Sequence, residues 1–166
     1  MKIRSACAHE LDGIMNIYAD ARAFMRENGN PEQWGDSYPP REMIREDMER
    51  GFCYVCEDDG EIVGVFYYAE GEDPTYKAIE NGAWINDRPY GVIHRIASAR
   101  HRRGVASFCF AWAVEQCGNL KIDTHRDNLP MQRSLAKNGF TRCGIVHLAD
   151  GEERIAYQRA QEGSVT

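Results

Sequence analysis

Between residues 91 and 125 the chain reads as strand, helix, strand, and the helix is apolar almost all round. GVIHRIA is a strand. HRRGVASFCFAWAVEQC follows, and from Val105 to Val114 its only polar residue is Ser107. A helix without a polar face is buried on more than one side. Gly118 ends it, and LKIDTH resumes as a strand, with Leu120 and Ile122 alternating with Lys121, Asp123 and His125. Two strands joined through such a helix form a parallel pair. This unit restricts the chain to sheets covered by helices.

The remaining segments fit around it. Leu11, Ile14, Ile17, Tyr18, Ala21, Phe24 and Met25 recur at helical spacing, which predicts an amphipathic helix over about 11–28. Asn28-Gly29-Asn30-Pro31 stops it. A second helix is expected over about 40–50, from Pro40 to Gly51. FCYVCED and EIVGVFYYAE form a hairpin around Asp58-Asp59-Gly60, and residues 71–91 are irregular. NLPMQRSLAKNG reads as a helix stopped by Gly139; FTRCGIVHLA and ERIAYQRA are two final strands. The expected fold is a mixed α/β sheet, hairpins around one parallel pair, with helices on both faces.

At roughly 100–200 residues per domain, 166 residues make one domain, expected over 1–160 with a polar tail at 161–166. The net charge is −6, a poor balance for binding nucleic acid or anionic membrane, so neither is expected as a partner. No apolar run approaches the ~18 residues of a membrane span. The start MKIRSACAHELDG has no apolar leader core, so a cytoplasmic location is expected. Cys53 and Cys56 lie three apart on a strand and face opposite sides; without a second such pair they read as small buried residues, and no metal is expected.

Against this acidic background stands Arg100-His101-Arg102-Arg103-Gly104-Val105-Ala106, where a strand gives way to the buried helix. A helix start exposes unpaired N–H groups and a partial positive charge. Gly104 and Ala106 lack bulk, so a ligand can approach the backbone. Such a place can cradle a pyrophosphate. It lacks the Gly-Lys-Ser/Thr of a Walker loop and the repeated glycines of a dinucleotide fingerprint. On the loop alone, a solvated basic run fits equally.

A second motif follows the next strand: Asn128-Leu-Pro-Met-Gln-Arg-Ser-Leu-Ala-Lys-Asn-Gly-Phe140. His101 to Ala106 matches a Gln/Arg-x-x-Gly-x-Gly/Ala loop, and Asn128 to Phe140 matches an Asn-x-x-Ala…Gly-Phe helix. With both in this order, one helix and one strand apart, the chain resembles the GCN5-related N-acetyltransferase (GNAT) superfamily over nearly its whole length. The resemblance implies about six or seven strands, mostly antiparallel, with a splayed parallel central pair. It implies acetyl-CoA as co-substrate and transfer of the acetyl group to a primary amine of a small molecule or peptide, by direct attack in a ternary complex. The alternative is a non-catalytic acyl-CoA-binding or sensing domain. By the same analogy the chain is a monomer or a homodimer.

The resemblance also implies contacts. Ile96, Ala97 and Ser98 pair with the pantetheine arm, and the Ile96 amide faces the developing oxyanion. The amides of Arg102, Arg103, Gly104, Val105 and Ala106 hold the pyrophosphate, and His101 and Ser107 are further coenzyme contacts. Asn128 and Met131 lie near the pantetheine, and Ser134 and Lys137 near the adenosine end or the thiol. The chain departs from the pattern at three places: His101 replaces Gln or Arg, Met131 replaces a small residue, and Leu135 stands where many members have a proton-donating tyrosine.

An attacking amine of lysine type, with pKa near ~10.4, costs about 4.6 kcal/mol to deprotonate at pH 7, so a base helps. A cysteine-like thiolate, pKa near ~8.5, leaves tolerably without a donor. His94, His125 and Asp123 are base candidates from strand faces, and Glu80 or Glu70 could act through water. Tyr157 could donate a proton, while His9 and His147 look structural. Trp34, Tyr38, Trp84 and Tyr90, with Tyr76 and nearby carboxylates, could wall a pocket for a cationic amine. They could equally pack the edge of the sheet.

Overall fold

A computed structural model describes residues 1–162. From residue 163 on, the expected polar tail lies outside the described residues. The elements are β1 (Lys2–Ser5), α1 (Leu11–Glu27), α2 (Arg41–Glu49), β2 (Cys53–Asp58), β3 (Glu61–Glu70), β4 (Gly91–Ser98), α3 (Val105–Cys117), β5 (Asn119–Thr124), α4 (Leu129–Lys137), β6 (Thr141–His147) and β7 (Glu153–Ala160). Seven strands form one mixed sheet in the order β1-β2-β3-β4-β5-β7-β6. The β4–β5 pair is parallel; β1–β2, β2–β3, β5–β7 and β7–β6 are antiparallel. The mixed α/β fold class and the parallel pair are those expected.

β1 is the strand the residue pattern did not announce. Its four residues include one aliphatic side chain, Ile3, and it exists through its ladder to β2, from Lys2↔Glu57 to Ser5↔Tyr54. The other boundaries shift by a few residues. The largest shift is at α3, which begins at Val105, so Arg100 to Gly104 form the loop before it.

The chain divides into two compact units. The first comprises Met1–Tyr68 and His94–Cys109. Its core joins Leu11, Ile14 and Tyr18 of α1, Ile44 of α2, Val55 of β2, Val65 of β3, Ala97 of β4 and Trp34 from the intervening loop. Burying an aliphatic side chain of this kind contributes about 1.5–3 kcal/mol. The second unit comprises Ala69–Ile93 and the chain from Phe110 onward. Phe110 and Phe140 meet edge-on at 5.3 Å. Leu120, Leu135 and Val146 are fully buried in this unit.

Candidate active site

β4 is the strand expected to carry ligand contacts; its residues from His94 on belong to the first unit and Gly91–Ile93 to the second. It runs beside β5 through only two register pairs, Gly91↔Leu120 and Val92↔Lys121. Three residues further on, Arg95 has φ +47, a left-handed conformation rare for a residue with a side chain. Its guanidinium donates from Nε and Nη2 to both oxygens of Asp47, at 3.0 and 2.9 Å, and from Nη1 to the Tyr38 hydroxyl at 3.3 Å. It lies 4.7 Å over the Tyr67 ring. Burial pushes the Asp47 carboxyl up and Arg95 pulls it back; the two-pronged geometry is that of an ion pair. The half-buried His94 ring sits 5.5 Å from Tyr67. Ile96 and Ser98 are half-buried, and Ala97 is buried. Trp34 is a core residue, packed on Tyr18 and Tyr38 at ring distances of 5.8 and 6.1 Å.

The loop after β4 is tied at its base. Ala99 N–H donates to the Val63 carbonyl at 2.8 Å, and Arg102 N–H donates to Ala99 at 3.2 Å. The first bond into α3 is Phe108 N–H to the Gly104 carbonyl, at 3.0 Å. Among the described residues, the N–H groups of Arg103, Gly104, Val105 and Ala106 meet no acceptor. Gly104 has φ +77, which only glycine adopts without strain, and no atom lies within 4 Å of where a Cβ would sit. Below the loop, Gly64 of β3 lets α3 approach: a Cβ there would stand 2.5 Å from Val105 Cγ1.

The side chains of this basic stretch are mostly spoken for. Arg100 pairs with Glu27 at 2.9 Å, His101 Nε2 with Glu61 at 2.9 Å, and Arg102 with Asp58 at 2.8 Å. Among the described residues, of Arg100, His101, Arg102 and Arg103 only Arg103 has no carboxylate partner. The island read from sequence as concentrated positive charge is therefore a neutralised one. What it presents is main chain.

In the second unit, Asp123 of β5 accepts a hydrogen bond from the Tyr76 hydroxyl at 2.7 Å. Tyr76 is buried, and burial together with the adjacent carboxylate raises its phenol well above the usual range. It is seated in the short turn Pro74–Tyr76, opened by the Asp73 side chain accepting from Thr75 N–H at 3.0 Å. The Tyr76 carbonyl accepts from Trp84 Nε1 at 3.0 Å, and the Tyr90 hydroxyl accepts from Asp73 N–H at 2.9 Å. Lys121 lies under this layer. Its Nζ is 4.1 Å from the Trp84 ring centre and 3.9 Å from that of Tyr90, and burial lowers its pKa. Trp84 and Tyr90, read from sequence as walls for a substrate cation, face an ammonium supplied by the chain itself.

The other candidates separate by their partners. His125 is buried just past β5; its Nδ1 accepts from Asp127 N–H at 3.0 Å. The Nδ1 lone pair is thus engaged, and the neutral ring carries its proton on Nε2. Burial, reinforced by Arg154, lowers its pKa. Asn128 is buried and caps α4, its Oδ1 accepting from Met131 N–H at 3.1 Å. Met131 and Ser134 are half-buried on α4, Lys137 is exposed, and Leu135 is fully buried. Glu80 exchanges two main-chain bonds of 2.8 Å with Ile145, which fixes it against β6 with its side chain exposed. Ser107 is half-buried in α3 and Glu70 is exposed at the end of β3. Tyr157 is buried on β7, where burial raises its phenol, and His147 lies near Glu153 at 3.8 Å. Among the described residues, no cluster of His, Cys, Asp or Glu could hold a metal, and no helix is long and apolar enough to cross a membrane.

The profile of the acetyltransferase (GNAT) family matches residues 12–140. The chain belongs to the GNAT family of acetyltransferases. A GNAT acetyltransferase from Streptococcus agalactiae 2603 is 34% identical with a TM-score of 0.89, over 98% of this chain and 96% of that one. A GNAT acetyltransferase from Bacillus cereus ATCC 10987, 22% identical, has a TM-score of 0.64 over 98% of each chain. A ribosomal-protein-alanine N-acetyltransferase from Brucella melitensis, 19% identical, has a TM-score of 0.65 over 96% of this chain and 99% of that one. The last two show the fold alone. No curated protein matches the chain at a significant level. GNAT membership makes this chain an acyltransferase, of a family that uses acetyl-CoA as co-substrate with amine acceptors.

Proposed function

We propose that the protein moves the acetyl group of acetyl-CoA to a primary amine of a small molecule or peptide, by direct attack in a ternary complex. The observation that carries this reading is the run of open amides at Arg103 to Ala106, kept accessible by Gly104. They begin a helix of 13 residues, so its dipole adds to their pull on an anion. These amides, with the Arg103 side chain, are assigned to the pyrophosphate. Ile96, Ala97 and Ser98 are assigned to the pantetheine arm, and Asn128 and Met131 to contacts further along it.

The bound thioester supplies the activated acetyl group. The chain's own part is to orient the amine, take its proton and steady the negative charge that grows on the carbonyl oxygen. The Ile96 amide is assigned to that oxygen. His94 and Asp123 are the candidates for the proton, directly or through water. Tyr76 engages one Asp123 oxygen and leaves the other to accept. The His125 Nδ1 lone pair is engaged by Asp127 N–H, which ranks it lower, and Glu80, its main chain fixed against β6, keeps an exposed carboxylate that can act through water. No donor stands at Leu135, and a thiolate with pKa near ~8.5 can leave without one.

The test is free-thiol release from acetyl-CoA across a panel of amines and amino acids, together with thermal shift. Stabilisation by CoA and acetyl-CoA beyond that by ATP, and thiol release with at least one amine, is expected. No stabilisation by either coenzyme form would overturn the reading.

A further inference from the structure

The carbonyl of Arg95 and the N–H of Ile96 belong to one peptide group. That group is planar, and its C=O and N–H point in opposite directions. Whatever fixes one therefore aims the other. The Arg95 carbonyl accepts a 2.8 Å hydrogen bond from the hydroxyl of Tyr18, a residue of α1 that is 1% exposed. Tyr18 is the wrong residue for a purely apolar core position, and its hydroxyl goes to this one backbone oxygen.

The residue in front of that peptide is held as firmly. Arg95 lies in the left-handed region at φ +47, a conformation that persists only where its surroundings impose it. Asp47 of α2 grips its guanidinium through two bonds, Tyr38 accepts a third, and Tyr67 of β3 lies beneath. The Arg95 and Asp47 side chains are only 12% and 10% exposed. A buried pair of this kind is weak as a source of stability, because well-packed apolar residues often replace it without loss. It suits the fixing of one conformation.

We propose that Tyr18, Asp47 and Arg95 are positioning residues for acetyl transfer: they clamp the Arg95–Ile96 peptide so that the Ile96 N–H points at the reacting carbonyl oxygen. This rests on the oxyanion role assigned to Ile96 under the proposed function. Tyr18 touches no substrate. It acts through the backbone.

The experiment compares Tyr18→Phe, Arg95→Ala and Arg95→Gly with the wild-type enzyme, with kcat expressed per acetyl-CoA-binding site counted by calorimetry. Tyr18→Phe keeps the ring and removes only the clamp on the carbonyl. It is expected to lower kcat at least tenfold while the Kd for acetyl-CoA stays within twofold. Arg95→Gly adopts φ +47 without strain and Arg95→Ala does not, so the glycine variant is expected to retain the higher kcat. Loss of contacts alone predicts the reverse or no difference. Wild-type kcat in Tyr18→Phe, or an Arg95→Gly enzyme no faster than Arg95→Ala, overturns the inference. Should Arg95→Ala not fold, Tyr18→Phe alone decides. A wild-type protein that binds no acetyl-CoA would overturn the proposed function itself, and this inference with it.

Discussion

One backbone angle governs the run of open amides at the start of α3. Gly104 has φ +77 with open space where a Cβ would point, so a side chain there meets strain and not a clash. Gly104→Ala is expected to cost about 1–2 kcal/mol in chemical denaturation, the usual penalty of the left-handed region. It puts a methyl group into the open space at this turn, and calorimetry should show acetyl-CoA bound at least tenfold more weakly. A second residue reports through pH. Burial and then Arg154 depress the His125 pKa below 6.5 in the folded protein. The unfolded chain therefore takes up the proton first as pH falls. The contribution of His125 to stability is complete above about pH 6.5 and is lost below it, down through the folded value. Thermal unfolding from pH 7.5 to 5 should show a drop in Tm below pH 6.5 that is smaller in His125→Asn. Parallel curves for the two proteins would contradict this.

Among the elements, α4 shows how a residue of a family motif can serve the fold first. Asn128 caps the helix by accepting from Met131 N–H. Asn128→Ala should destabilise the protein by about 1 kcal/mol, whereas Asn128→Asp keeps the acceptor and the stability. Calorimetry with the Asp variant then reads how losing the side-chain amide and gaining a negative charge together change coenzyme binding. Elements whose evidence lies in one stretch of chain were legible: α1 in its apolar spacing, α3 in its lack of a polar face, and the turn of open amides in a glycine at a helix start. Those that depend on distant partners were not. β1 needs β2 to exist. Lys121 alternates like a solvent-facing strand residue, and only the tertiary layer of Trp84 and Tyr90 buries it. Arg95 and Asp47 are 48 positions apart, and nothing near either announces the pair. The local charge of the basic stretch was visible, but the carboxylates that cancel it come from α1, β2 and β3.

On the scale of the whole molecule, charge decides how a coenzyme can be held. The chain carries −6 and its basic loop is paired to its own acids, so bulk attraction for a polyanion is weak. On the proposed function, affinity comes from directed main-chain donors and the helix dipole, with the pantetheine arm contributing along β4. Both are assigned to one strand–loop–helix run, β4 to α3. The most direct test of this account is calorimetric titration of the wild-type protein with acetyl-CoA and, in parallel, with acetyl-pantetheine, which carries the same thioester and arm without the pyrophosphate. Saturable binding of acetyl-CoA is expected, with acetyl-pantetheine bound at least a hundredfold more weakly. Equal affinity for the two ligands would contradict it.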